Sequence, residues 1–248
     1  MTISNQVSTN TFPLIEQLVR YSYDHQLTHV PSALSMLTYV NHMFTNRHVE
    51  PYRDMIVLGK PFGSQAYYII WKNLNWLDEI DHLSVGVKHE EIEFVTYGEE
   101  TMGNALGVAT GIAIARPCRN VWVNISDATL QMGSTLEAIQ YIGHNKLSNI
   151  HLSVDGNDMQ VTGSTTNVLS VTPVISLFRD YGWNLQVVDG HDELAIASSM
   201  YNIDQTKPNV TYYNTKKGNG VDIMERDPVT WHYKKIDETN FRQILKQI

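Results

Sequence analysis

The feature that most constrains this chain is a regular exchange of two hydrophobic periods along its second half. Short apolar runs of strand length, at 120–125, 149–154, 184–188 and 209–213, alternate with segments of helical spacing at 133–145, 173–181, 192–201 and 238–247. Consecutive parallel strands need a long crossover, and a helix of this length is the usual one. The alternation therefore predicts an α/β fold: a mostly parallel sheet with right-handed crossovers and helices on both faces. The first half predicts a helix over 13–24, with Leu14, Ile15, Leu18 and Val19 on one face. A second helix opens at Pro31 and turns Leu34, Leu37, Tyr39 and Val40 inward. A buried strand at 54–58, a helix through 67–70 and a small-residue helix at 103–115 follow. With no repeat, low-complexity tract or Pro/Gly-rich linker, residues 1–248 are read as one domain.

In open parallel sheets, ligands bind beyond the carboxyl ends of the strands. Asp127 follows one predicted strand, Asp155-Gly156-Asn157 follows the next, and Asp127 and Asn157 are 30 residues apart. One strand–helix–strand unit of that length brings both loops to the same sheet edge. A carboxylate, an amide oxygen and a loop carbonyl are hard oxygen donors, suited to Mg²⁺, Ca²⁺ or Mn²⁺ bridging phosphate oxygens. Backbone N–H groups at the helix entrance after Asp127 suit the same anion. Taken singly, each loop also reads as a helix cap or a turn. Their pairing on consecutive strands favours the cation site.

Composition narrows the classes further. Of the 248 residues, 42% are hydrophobic and 18% charged, enough for a packed core. No apolar run reaches the ~20 residues that span a bilayer, and the first residues lack a signal-peptide layout. A single cysteine, Cys118, excludes an internal disulfide framework and a multi-cysteine zinc site. A net charge of -8 argues against a nucleic-acid surface. The expectation is a soluble, cytoplasmic protein that acts on small molecules, with neither nucleic acid nor membrane as partner.

The residues around the two loops carry a resemblance. Thr28-His29-Val30-Pro31-Ser32-Ala33-Leu34-Ser35, Lys146-Leu147-Ser148-Asn149, Asp155-Gly156-Asn157 with Gly163, Gly182-Trp183, Asp189-Gly190-His191-Asp192, Thr215-Lys216-Lys217-Gly218-Asn219-Gly220, Glu225 and Trp231-His232 occur in this order. The chain thereby resembles the N-terminal, diphosphate-binding domain of transketolases, from about residue 28 to 232. The resemblance implies thiamine diphosphate as cofactor, with a divalent ion held by Asp127, the Asn157 side chain and the Met159 carbonyl. It places the Ala128 amide beside the diphosphate and Val161 near the thiazolium ring. Met102 and Gly103 end the segment Gly98-Glu-Glu-Thr-Met-Gly103, which replaces the family's Thr-Gly-x-Leu-Gly, and are expected among the cofactor contacts. His29 and His232 match family histidines around the reactive carbon, and His89, before Glu90, resembles a further family histidine in a His-Pro-Glu segment; the three are the expected catalytic residues.

The departures are specific. Ala128 replaces a family glycine, Met132 a glutamate that couples two active sites, and Tyr233 a glycine. Phe62, within Gly59-Lys60-Pro61-Phe62-Gly63, stands where the family has a histidine. In the family, the activating glutamate and the pyrimidine pocket lie on a second α/β domain. With 248 residues taken as the whole chain, the resemblance implies a split enzyme whose second domain is a separate C-terminal subunit, with an α2β2 heterotetramer as the assembly. The small-residue helix at 103–115 is the expected interface. The implied activity is transfer of a two-carbon ketol unit from a ketose to an aldose acceptor. Two other readings stand beside it: one component of a 2-oxo acid decarboxylase or dehydrogenase-type enzyme, and a non-catalytic partner of the same fold. Lys216-Lys217 fits either a solvated turn or a phosphate contact, and His191 is expected to orient its loop.

Overall fold

The computed structural model describes residues 11–60, 62–80, 86, 91–98 and 100–248. Among them, six strands form one all-parallel sheet, β1 (Met55–Leu58), β2 (Val95–Gly98), β3 (Val121–Ser126), β4 (Ile150–Gly156), β7 (Asn184–Asp189) and β8 (Asn209–Asn214). Their order is β2-β1-β3-β4-β8-β7. A two-residue antiparallel ladder, β5 (Met159–Gln160) with β6 (Gly163–Ser164), closes the loop after β4. The predicted strands agree with the observed ones to within a residue or two. Strand β2, at the sheet edge, escaped the sequence reading because four residues carry too little periodicity.

Helices cover both faces, as the alternation predicts. On one side lie α1 (Phe12–Asp24), α2 (Val30–Thr45), α3 (Gln65–Asn73), α8 (Glu193–Tyr201), α9 (Asp222–Arg226) and α10 (Glu238–Gln247). On the other lie α4 (Ala105–Ala115), α5 (Gly133–His144) and α7 (Thr172–Asp180). A short helix, α6 (Thr165–Val168), follows β6. None of these helices is long and apolar enough to cross a membrane.

Two elements differ from their sequence reading. Helix α2 is buried on every side from Val30 to Phe44, not along one stripe, because α1, α3 and α8 surround it. Where it meets the sheet, buried polar groups pair with one another: Tyr39 Oη donates to Asn124 Oδ1 at 3.0 Å, and Asn124 Nδ2 bonds the Tyr67 hydroxyl. Helix α4 turns Ala105, Ala109 and Ala113 into the core, while Gly107 and Gly111 face open space beside the exposed Ile114. Its small-residue face is thus outside the described packing of the chain.

Candidate active site

The parallel register gathers the loops at one sheet edge. Ser126, the last residue of β3, pairs with Asp155 in β4, and Gly156 pairs with Asn214 at the end of β8. Asp127 leaves β3 into a 3-10 turn, Asp127–Gln131, that leads to α5. Its carboxylate is buried, and accepts from the Ala128 N–H through Oδ1 and from the Asp158 N–H through Oδ2, both at 2.7 Å. Burial, and then the charge of Asp155, push its pKa up to about 7, against which the two N–H donors and Lys60 act only in part. Removing a carboxylate from water, and placing a second one nearby, both disfavour its charged form. Ala128 needs no left-handed backbone here, so a side chain stands in place of the family's glycine without strain.

Asn157 lies in the adjoining loop. Its Nδ2 donates to Asp155 Oδ2 at 2.7 Å and to Ser35 Oγ at 3.3 Å, while its Oδ1 accepts from the Met159 N–H at 3.0 Å. Asp155 is fully buried and carries the densest set of partners in the site. Ser35 Oγ donates to Oδ2 at 2.6 Å, Thr215 Oγ1 to Oδ1 at 2.5 Å, and the Lys60 ammonium pairs with Oδ2. Burial alone would raise its pKa, but the Lys60 charge and these hydrogen bonds outweigh it and hold Asp155 below the usual carboxylate range. Among the described residues, no group of three or more His, Cys, Asp and Glu side chains could hold a metal ion. A cation here depends on the mixed set of Asp127, the Asn157 amide and the Met159 carbonyl, whose oxygen chemistry suits Mg²⁺ or Ca²⁺.

Above these loops opens a cavity of about 340 Å³. Its aromatic wall comes from distant parts of the chain. His29 enters α2 with a left-handed φ of 60°, a conformation unusual for a residue with a side chain and frequent at functional sites. Its ring stacks on Phe62 at 4.6 Å and meets His232 at 4.9 Å and Tyr233 at 5.1 Å. His232 ends a 3-10 turn, Thr230–His232, and its Nδ1 lies 2.9 Å from Lys217 Nζ. Burial first, then Lys217, lower the pKa of His29 to about 4 and that of His232 to about 3, so both rings are neutral near pH 7. Lysine has only donors to offer, so Nδ1 of His232 accepts and its proton sits on Nε2. Lys217 is itself buried, reaches the Met159 carbonyl at 3.3 Å and is pushed down to about 8 by burial and by Lys60.

The expected site residues are thus largely brought together. His29, Met102, Ala128, Asn157, Met159, Val161 and His232 all border this cavity, and Asp127 lies buried beside them. Gly103 does not border it. Its carbonyl instead accepts from Ser134 Oγ at 2.9 Å, and a Cβ there would meet that same oxygen. His89 lies outside the described residues. Lys60 and Ser35 were missed as functional groups, although Ser35 closes the segment Thr28–Ser35 and Lys60 lies two residues from the Phe62 substitution. The two adjacent lysines point differently: Lys216 pairs at the surface with Glu225, and Lys217 turns into the cavity. His191 orients its loop by accepting from the Lys216 N–H at 2.8 Å.

Comparison with known proteins agrees with this geometry. The chain is 28% identical to one subunit of the apulose-4-phosphate transketolase of Actinobacillus succinogenes, over 75% of this chain and 72% of that protein. It is 26% identical to the 6-deoxy-6-sulfo-D-fructose transketolase subunit SqwG of a Clostridium species, over 80% of this chain and 77% of that protein. Among solved structures, a Pichia stipitis transketolase mutant in complex with fructose 6-phosphate superposes with a TM-score of 0.74 at 17% identity, which speaks for the fold. The superposition covers 98% of this chain and 44% of that one. Residues 109–243 match the family model described as the transketolase, thiamine diphosphate binding domain. With a buried carboxylate at the end of β3, an oriented amide after β4 and a cavity above both, the chain belongs to the transketolase thiamine diphosphate-binding domain family.

Proposed function

We propose that this chain is the diphosphate- and metal-binding subunit of a two-chain transketolase-like enzyme, which transfers a two-carbon ketol unit from a ketose to an aldose. One observation carries the reading: the Asp127 carboxylate is buried at the end of β3, held by the Ala128 and Asp158 N–H groups, beside a histidine-lined cavity that Asn157 and Met159 border. Asp127, the Asn157 amide oxygen and the Met159 carbonyl would hold a divalent ion, with Mg²⁺ the first choice and Ca²⁺ or Mn²⁺ able to use the same donors. That ion would bind the diphosphate of thiamine diphosphate, with the Lys217 ammonium as a further positive group. When bound, the cofactor supplies a nucleophilic carbon for ketol transfer.

The protein's own contribution is orientation and proton handling. His232, neutral and protonated on Nε2, presents a hydrogen-bond donor to a substrate oxygen. His29 engages Thr28 Oγ1 through Nδ1 at 2.8 Å, which leaves Nε2 for the cavity. Phe62 and Tyr233 keep water from the His29 ring and so keep it neutral. Met102 and Val161, both exposed apolar side chains at the cavity rim, are suited to be covered by another chain.

The partner is a separate polypeptide carrying the pyrimidine-binding domain, and the assembly is an α2β2 heterotetramer in the cytoplasm. Relatives named as transketolase subunits support this arrangement, and their different sugars leave the sugar of this chain open. The test is co-purification with such a partner, followed by assay of ketol transfer and by calorimetry of thiamine diphosphate binding in Mg²⁺. Activity should require both chains, and Asp127→Ala should abolish cofactor binding without unfolding the chain. Undiminished cofactor binding by that variant would reject the site.

A further inference from the structure

We propose that Asp155 is a positioning residue that fixes which way the Asn157 carboxamide faces, and that Lys60, Ser35 and Thr215 hold Asp155 for that task. The inference rests on the reading of Asp127, Asn157 and Met159 as a cation site. A carboxamide is nearly symmetric in shape, and rotation about its last bond exchanges an acceptor for a donor. Only the acceptor attracts a cation; the NH₂ group repels it. A site built on asparagine therefore needs something that selects the orientation.

The selection is visible in the contacts. On the nitrogen side of Asn157 stand two acceptors, Asp155 Oδ2 at 2.7 Å and Ser35 Oγ at 3.3 Å; on the oxygen side stands one donor, the Met159 N–H at 3.0 Å. Flipping the amide would set its oxygen against a carboxylate and its NH₂ against an N–H. Asp155 lies near the end of β4 and Asn157 just beyond its last residue, Gly156, so the contact joins two neighbouring positions of one short stretch of chain.

Asp155 in turn has no freedom to follow. Thr215, beyond β8, takes Oδ1; Ser35, on α2, and Lys60, beyond β1, take Oδ2 together with Asn157. Lys60 Nζ is anchored as well by the Ser32 carbonyl at 2.8 Å and by Ser35 Oγ at 3.2 Å. With every contact satisfied inside the protein, Asp155 is not itself a ligand. Among the described residues, Asp127 by contrast accepts from two backbone N–H groups, one on each oxygen, and so keeps lone pairs for a cation. The lysine has a second effect: it neutralises one of two neighbouring buried carboxylates, so that a single cation completes the other.

The test titrates Mn²⁺ into the intact chain, with inorganic diphosphate as the anion probe, and follows free Mn²⁺ by electron paramagnetic resonance. Asp155→Asn should lower Mn²⁺ affinity by about 10- to 100-fold, as losses behind a metal ligand do. Because that variant also removes a negative charge near the cation, Ser35→Ala and Thr215→Val provide neutral counterparts, expected to weaken binding less. Thermal unfolding checks that each variant is folded. A second readout separates orientation from structure: NMR should find the Asn157 Nδ2 protons protected from water in the metal-free wild type and unprotected in Asp155→Asn or, should that variant not fold, in Thr215→Val. Wild-type affinity and an unchanged Asn157 amide in the folded variants, with Asp127→Ala inert, would overturn the positioning role alone. Wild-type affinity in Asp127→Ala would overturn the cation site, and the proposal with it.

Discussion

The His29 N–H donates to the His232 carbonyl at 3.2 Å, and the two rings meet edge to face at 4.9 Å. The start of α2 and the turn before α10 are thereby locked together at the point where two candidate catalytic groups share one patch of dry surface. Their protonation is consequently coupled to burial more than to any single partner.

Both imidazoles have folded-state pKa values below the ordinary 6.5, so the folded chain favours their neutral forms. The stability this contributes is fully present above pH 6.5 and is lost as pH falls toward about 4 for His29 and about 3 for His232. NMR titration of the ring protons should show both still neutral at pH 6. Midpoints near 6.5 for both would contradict the buried geometry.

Phe62→Ala should open the His29 ring to water. Desolvation is the largest cause of its depressed pKa, so the midpoint should move up toward 6.5. His232, whose ring packs against His29 and Tyr233, should move less. The same titration reads both shifts at once, and an unmoved His29 would show that Phe62 does not exclude water from it.

Lys217→Met should raise the His232 midpoint only part of the way, because burial remains after the neighbouring charge is gone. It should also weaken binding of inorganic diphosphate, which calorimetry can measure. Unchanged diphosphate affinity would remove Lys217 from the anion-binding groups.

His232→Gln should lower turnover of the assembled enzyme by about 10²-fold, the scale of a lost proton-handling group, with little change in melting temperature. A variant with full turnover would strike His232 from the catalytic residues. A change in KM alone would make it a substrate-binding group.

Gly156→Ala probes the packing beneath the Asn157 loop. An added Cβ would collide with Cε1 and Cζ of Tyr212, so the buried ring must shift. The expected cost is about 1–3 kcal/mol of stability, measured by denaturant unfolding. A neutral effect would mean that Tyr212 yields freely.

Much of the site is legible in the sequence because it is built from local signals. Asp127 and Asn157 each follow a strand directly, and a parallel register carries the spacing of one strand–helix–strand unit into spatial adjacency. Gly103 lies off the cavity; its segment has no counterpart in the family to align with, and a glycine with φ of 100° serves a tight turn as readily as a ligand. The alternation of periods also predicted the sheet and its two helical layers, whereas β2 was too short to register and α2 too apolar to show which faces were covered.

By itself, then, the sequence determined the strand–helix order, the edge of the sheet where the candidate site lies and the residue types offered there, since all of these follow from periodicity and chain direction. The tertiary structure alone decided which of the offered groups are charged, neutral or turned in a given direction. Asp155 meets Lys60, Ser35 and Thr215 across three other segments, and His29 meets Phe62 and His232 across two more. Desolvation and charge pairing depend on what surrounds a group in space, and no spacing along the chain encodes that surrounding.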